Sequence, residues 1–264
     1  MVTYRLGKQL ISLELPDTTK TEINFRDTSC AQPTPIKFEN LNLITKFGPH
    51  VTTAEALNLW VVKKLFGWRV DDEAYVFIYM ELIEGPRLEE CWDSLGTMEK
   101  SAISDQLSQI MESLRRLEQD PSDQFIGSIH RQSLLDYVFI GQLITGPFSN
   151  TKEFNDWLAS IYRFRFPNRY GYRNRCLLPD NGEIKLTHAG LKPGNIIVSS
   201  FTPVQIVVIN WQQASWYPDY WEYCKALDTC WDGRWRKGYI DKFLQSHTDA
   251  FFVWSEYCMA MGTD

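Results

Sequence analysis

From Leu186 to Trp211 the chain reads LTHAGLKPGNIIVSSFTPVQIVVINW. Two apolar, β-branched runs, Ile196 to Val198 and Val204 to Ile209, follow a turn rich in polar residues, Gly and Pro. Short apolar runs bounded in this way form a hairpin. The loop ends of a hairpin present side chains on a rigid scaffold, and here they carry His188, Gly190, Asn195 and Asn210.

The order His188, Ala189, Gly190, Leu191, three loop residues, Asn195, a strand, then Ile209-Asn210-Trp211 resembles the catalytic and metal loops of the aminoglycoside phosphotransferase and choline kinase-like family. In that family the first loop reads His-Gly-Asp-Leu-X-X-X-Asn. Its Asp takes the proton of the attacking hydroxyl, and its Asn helps to hold magnesium. The base position falls on Gly190, which has no side-chain acceptor. The family's second carboxylate, in an Ile-Asp-Trp motif, falls on Asn210, and a neutral amide is a weak ligand for a hard cation. The resemblance therefore implies a kinase-like fold with impaired phosphoryl transfer. Its loop histidine is often structural, and His188 has that reading beside a catalytic one.

Other positions match the same family. Lys46, in Ile44-Thr45-Lys46-Phe47-Gly48, falls on the strand lysine that contacts nucleotide phosphates. Glu55 falls on its glutamate partner. Thr52-X-X-Glu55 is equally a helix capping box, and both readings stand. The run YVFIYMELIEG, Tyr75 to Gly85, resembles the hinge between kinase lobes, with Met80 flanking adenine and Glu81 and Ile83 offering backbone groups. Ser215 to Tyr223 resembles the family's Gly-Trp-Tyr-Pro-Glu-Tyr-Trp-Glu-Tyr motif beside the acceptor-substrate site. That likeness makes Trp216, Tyr217, Asp219, Tyr220 and Glu222, together with Gly190, candidate substrate contacts. Phe125 to Ile129, Gly146-Pro147-Phe148 and Phe154-Asn155 match a pattern of fungal members of the family.

Composition sets broad bounds. With 264 residues, 44% hydrophobic and 14% aromatic, the chain can bury a sizeable core as one large domain or two lobes. Its 27 basic and 33 acidic residues give a net charge of -6, which argues against nucleic acid or an anionic membrane as main partner. No signal-like leader and no run of about 18 apolar residues occurs, so a cytoplasmic protein is the expectation. Six cysteines without a Cys-X-X-Cys pair read as thiols.

In chain order, short β-prone runs (LISLEL, TEINF, IKF, LNLITKF) build a small N-terminal sheet up to Phe47. Apart from Gly7 no glycine precedes Gly48, so no glycine-rich loop covers phosphates. Helical spacing predicts a helix over 52–66, a long one over 97–119 with Ile103, Leu107, Ile110, Leu114 and Leu117 inward, and another over 151–162. Pro218 suits the first turn of a further helix, with Asp219 and Glu222 at its N-terminus. Arg163 to Arg175 sets five arginines among four aromatics, read as a connector paired to local carboxylates or as an anionic-ligand patch. The expected fold class is α+β, bilobal and protein-kinase-like, with a trimmed N-lobe at 1–84 and a mostly helical lobe at 85–264 carrying the hairpin.

Three functions compete. In the favoured one, a small organic molecule is bound and undergoes a non-phosphoryl reaction such as cyclisation or isomerisation in secondary metabolism, with His188, Asp219, Glu222 and Lys46 as acid/base candidates. The others are a pseudokinase-type binding or scaffold protein and a weak ATP-dependent small-molecule phosphotransferase. The favoured reading requires no cofactor and no metal, and leaves ATP and magnesium as weakened ligands of Lys46, Glu55, Met80, Glu81, Ile83, Asn195 and Asn210. The sequence does not set the oligomeric state.

Overall fold

The computed structural model describes residues 2–6, 9–13, 35–48, 51–62, 67–70, 76–139, 142, 145–165, 170–228, 235 and 238–261. The chain divides into two compact units, Met1–Ile83 and Glu84–Asp264.

The first unit opens with an antiparallel hairpin of β1 (Val2–Leu6) and β2 (Gln9–Leu13). A second antiparallel sheet has the order β3-β4-β6-β5, from β3 (Ile36–Phe38), β4 (Leu43–Gly48), β5 (Gly67–Val70) and β6 (Val76–Glu81). Strand alternation puts Leu43, Thr45 and Phe47 on one face of β4, and Phe47 stacks on Phe77 across the ladder at 5.3 Å. Lys46 consequently lies on the other face. The helix α1 (Thr53–Val61) starts where Thr52 Oγ1 accepts the N–H of Glu55, and it is shorter than the expected 52–66. Residues 63–66, the run TEINF, Tyr75 and Cys30 lie outside the described residues.

The second unit contains α2 (Leu88–Cys91), α3 (Thr97–Arg115), α4 (Thr151–Arg165), β7 (Ile184–Thr187), β8 (Ile196–Phe201), β9 (Val204–Val208), β10 (Ser215–Pro218), α5 (Trp221–Asp228), α6 (Ile240–Phe243) and α7 (Thr248–Met261). Strands β8 and β9 form the expected hairpin, and β10 pairs antiparallel with β7. Both edges of the hairpin are covered. On the β8 side the N–H of Val198 donates to Pro86 O at 2.9 Å, and Gly85, at φ +129°, approaches so closely that a Cβ there would lie 2.2 Å from Val198 O. On the β9 side the Gln106 side chain of α3 donates to Val204 O (2.9 Å) and accepts from the N–H of Ile206 (3.2 Å). The core is aromatic and centres on Trp221. Tyr217 stacks on it at 5.1 Å, and Phe139, Phe154 and Trp254 pack around it at 5.3 to 5.8 Å.

The structure departs from the expected elements at the end of α3 and at Pro218. α3 ends at Arg115 rather than Gln119, because the Gln119 side chain turns back to bond the backbone N–H and C=O of Phe125. Its buried stripe accordingly includes Met111, while Leu117 is exposed. Pro218 closes β10 opposite Ile184 instead of opening a helix, which begins at Trp221. A strand end tolerates a residue with no N–H to donate. The arginine-rich segment is described only in part, but Arg175 binds Asp156 (2.8 Å) and Asp180 (2.6 Å), as the local-pairing reading expects. Residues 166–169, Cys230 and Trp231 are outside the described residues.

Candidate functional site

The candidate residues divide between the two units. In the first, Lys46 Nζ donates to both carboxylate oxygens of Glu55 at 2.8 and 3.0 Å. Glu55 therefore caps α1 only through its backbone N–H, and its carboxylate serves the lysine. Thr52 caps α1, but the reciprocal half of a capping box is not formed, and the ion pair accounts for the glutamate. At the end of β6, Met80 is half-buried, Glu81 is exposed, and Leu82 N–H donates to Asn42 O. The backbone of Ile83 has no hydrogen-bond partner among the described residues.

In the second unit, the segment between β7 and β8 folds into a sharp turn. Ala189 has φ +58°, a left-handed conformation that costs a residue with a Cβ roughly 1–2 kcal/mol. Three bonds hold it. Glu222 Oε2 accepts the N–H groups of His188 (2.6 Å) and Ala189 (3.3 Å), and His188 Nδ1 accepts the N–H of Gly190 (3.2 Å). An accepting Nδ1 requires the proton on Nε2, which donates to Ile209 O at 3.0 Å. Complete burial depresses the imidazole pKa to about 4, so His188 is a neutral brace. Glu222, also buried, is pushed up to about 7 by desolvation, against the opposing pull of the two amides and of Arg115 and Lys225.

Beyond the turn, amides form a chain. Asn210 Nδ2 donates to Asn195 Oδ1 at 3.4 Å, and Asn195 Nδ2 donates to Gly190 O at 2.8 Å. Asn210 itself is left-handed at φ +64°, a conformation this residue type tolerates better than most. These are the positions where the resemblance places the base and the metal ligands. A hard dication seeks anionic oxygens, while the Asn195 oxygen here already accepts a hydrogen bond. Among the described residues no group of three or more His, Cys, Asp or Glu could hold a metal ion. The residues present do not fit magnesium.

The aromatic segment is mostly interior. Tyr217 and Tyr220 are fully buried, Trp216 nearly so, and Tyr220 OH donates to Asn155 Oδ1 at 2.5 Å. Asp219 is half-buried; its N–H donates to Glu183 O, its C=O accepts from Arg115, and its Oδ1 is buried without a partner among the described residues. Sequence reasoning missed two supports of this region. Gln106 has no motif to mark it. The fully buried pair Lys225 and Asp136, 2.6 Å apart, joins the segment before Tyr137 to α5. A lysine on the inner stripe of α5, among Trp221, Cys224 and Leu227, was its available signal.

No protein-family model and no curated protein matches the sequence. Among solved structures the chain is similar to the GDP and kanamycin complex of APH(2")-IIia, with TM-score 0.54 and 12% identity over 88% of this chain and 82% of that one. It is similar also to a thermostable mutant of aminoglycoside phosphotransferase APH(4)-Ia, with TM-score 0.51 and 12% identity over 86% and 80%. The streptomycin-ATP-APH(2")-IIa ternary complex matches 96% of this chain and 93% of its own, with TM-score 0.50 and 12% identity. The fold is thus the bilobal, protein-kinase-like α+β fold of the aminoglycoside phosphotransferases. At these identities the likeness is one of fold, and no described helix is long and apolar enough to cross a membrane.

Proposed function

We propose that this chain is a kinase-fold binding protein that takes a nucleotide without metal-dependent phosphoryl transfer. The observation that carries the reading is the amide chain from Asn210 through Asn195 to Gly190, which replaces charged oxygens by neutral groups bonded to one another. Transfer needs a proton acceptor and a bridged metal. Binding needs neither. It draws instead on the Lys46–Glu55 pair and on the unpartnered backbone of Ile83. Structural neighbours crystallised with GDP or ATP make a nucleotide the first ligand to try.

A second reading keeps catalysis of a non-phosphoryl reaction on a small organic molecule. Three of its four acid/base candidates are committed: His188 and Glu222 to the turn, Lys46 to Glu55. Asp219, with one carboxylate oxygen unpartnered, is what sustains it.

The test is the melting temperature of the protein with ATP, in magnesium and in EDTA, alongside an assay of phosphate release. A ligand at one hundred times its Kd stabilises by about 2.7 kcal/mol, which is readily seen. The expected result is an equal upward shift in both media and no phosphate release. No shift at millimolar ATP removes the nucleotide and turns attention to Asp219. A shift that requires magnesium, with phosphate released, identifies a weak phosphotransferase.

A further inference from the structure

Glu222 uses only one of its carboxylate oxygens. Oε2 takes the two amides of the strained turn, and Oε1 is buried with no partner among the described residues. The turn is continuous with the amide chain, since Gly190 O accepts from Asn195 and Asn195 in turn accepts from Asn210. A carboxylic acid and a carboxylate can both accept the two amides at Oε2, the carboxylate more strongly, with the proton of the acid residing on Oε1. They differ in charge. The carboxylate sets a full negative charge where water does not reach, and desolvation raises its pKa to about 7.

Groups on each neighbouring element bear on that charge. Arg115 of α3 and Lys225 of α5 favour the carboxylate. His188 of the turn is neutral, Tyr217 of β10 titrates far above neutrality, and His247, near Arg115 and Asp219, is held below its usual 6.5. The positive groups lessen the penalty without removing it.

We propose that Glu222 is a proton-operated latch on the His188–Gly190 turn, keeping it shut as the neutral acid and opening it, with water admitted to Oε1, as the carboxylate. The closed turn holds the proton more tightly than an opened, hydrated one. Opening is therefore coupled to proton release and is favoured as pH rises from about 4.5 toward and through 7. Between pH 6 and 8 these affinities raise the open population by about tenfold, or about twofold if the His188 ring is hydrated in the same opening. The latch does not depend on nucleotide binding.

Hydrogen exchange of the peptide spanning residues 186–196, corrected for intrinsic rates, tests it on the whole protein without ligand. Wild type is expected to show a two- to tenfold loss of protection from pH 6 to 8. Glu222→Gln keeps an oxygen for both amides without the charge and is expected to show no such loss. A wild-type profile with no loss of protection overturns the proposal, as does an equal loss in Glu222→Gln. Should that variant not fold, carbon-13 titration of the Glu222 carboxyl in wild type decides. A midpoint near 7 supports the latch, and one near 4.5 overturns it.

Discussion

The side-chain amide of Asn210 donates to the amide oxygen of Asn195 at 3.4 Å, so the two loop ends of the β8–β9 hairpin are bonded to each other directly. In a phosphotransferase with the matched motifs, these positions serve a metal ion. Here the protein closes the gap with its own polar atoms.

On the proposed reading, returning the two charges to these positions returns phosphoryl transfer. A Cβ at Gly190 meets nothing nearer than 3.5 Å, and the backbone there is not left-handed, so a side chain can start from this position without strain. The double variant Gly190→Asp/Asn210→Asp is expected to gain magnesium-dependent phosphate release from ATP by about a hundredfold or more, the usual worth of a placed general base. Either single variant should stay at background. A double variant that folds and binds ATP, yet releases no phosphate, would show that more than two charges have gone.

The Lys46–Glu55 pair is nearly buried, with side-chain exposures of 13% and 2%. Lys46→Met leaves the glutamate uncompensated. A loss of about 3 kcal/mol is expected, at the lower end for a broken buried pair because the lysine retains some contact with water. It would be read as a lowered urea midpoint at unchanged slope. The same variant should lose the melting shift with ATP, whereas Glu55→Gln should lower stability less.

Lys225 and Asp136 are both fully buried, and Asp136 also accepts the indole N–H of Trp221. Lys225→Met should cost about 3–5 kcal/mol by stranding the carboxylate. Adding Asp136→Leu should recover only part of this in denaturant titrations, because the Trp221 indole is then left without its acceptor. Full recovery would mean that the indole bond contributes nothing.

His188 and Glu222 touch the same turn and answer pH in opposite senses. The histidine, at about 4 when folded and 6.5 when unfolded, gives stability that is lost as pH falls from 6.5 to 4. The glutamate, at about 7 when folded and 4.5 when unfolded, gives stability that is present below 4.5 and lost as pH rises to 7. Their effects largely cancel in wild type. Relative to wild type, Glu222→Gln should lose stability between pH 6.5 and 4.5, and His188→Gln should gain it. Parallel profiles for the two variants in urea titrations would refute the opposition.

Much of the scaffold could be read from the chain, since β8, β9, α1 and α4 follow hydrophobic period and turn residues. What escaped has a common cause. Glu222 looked like a pocket acid because its partners are backbone amides 33 and 34 positions away, which leave no mark on side-chain chemistry. Pro218 pointed to a helix start because strand β7, its partner, contributes through register alone. The early end of α3 depends on one glutamine turning back to Phe125, a choice that periodicity does not record.

Gln106 covers an edge of the hairpin. A hairpin of two strands has two raw edges, each a template on which another chain can add a strand. The glutamine amide answers one donor and one acceptor of β9, standing in for part of a third strand. Replaced by leucine, it would leave Val204 O and Ile206 N–H open to pairing between molecules. Self-association of an otherwise folded protein is the hazard this helix side chain holds off.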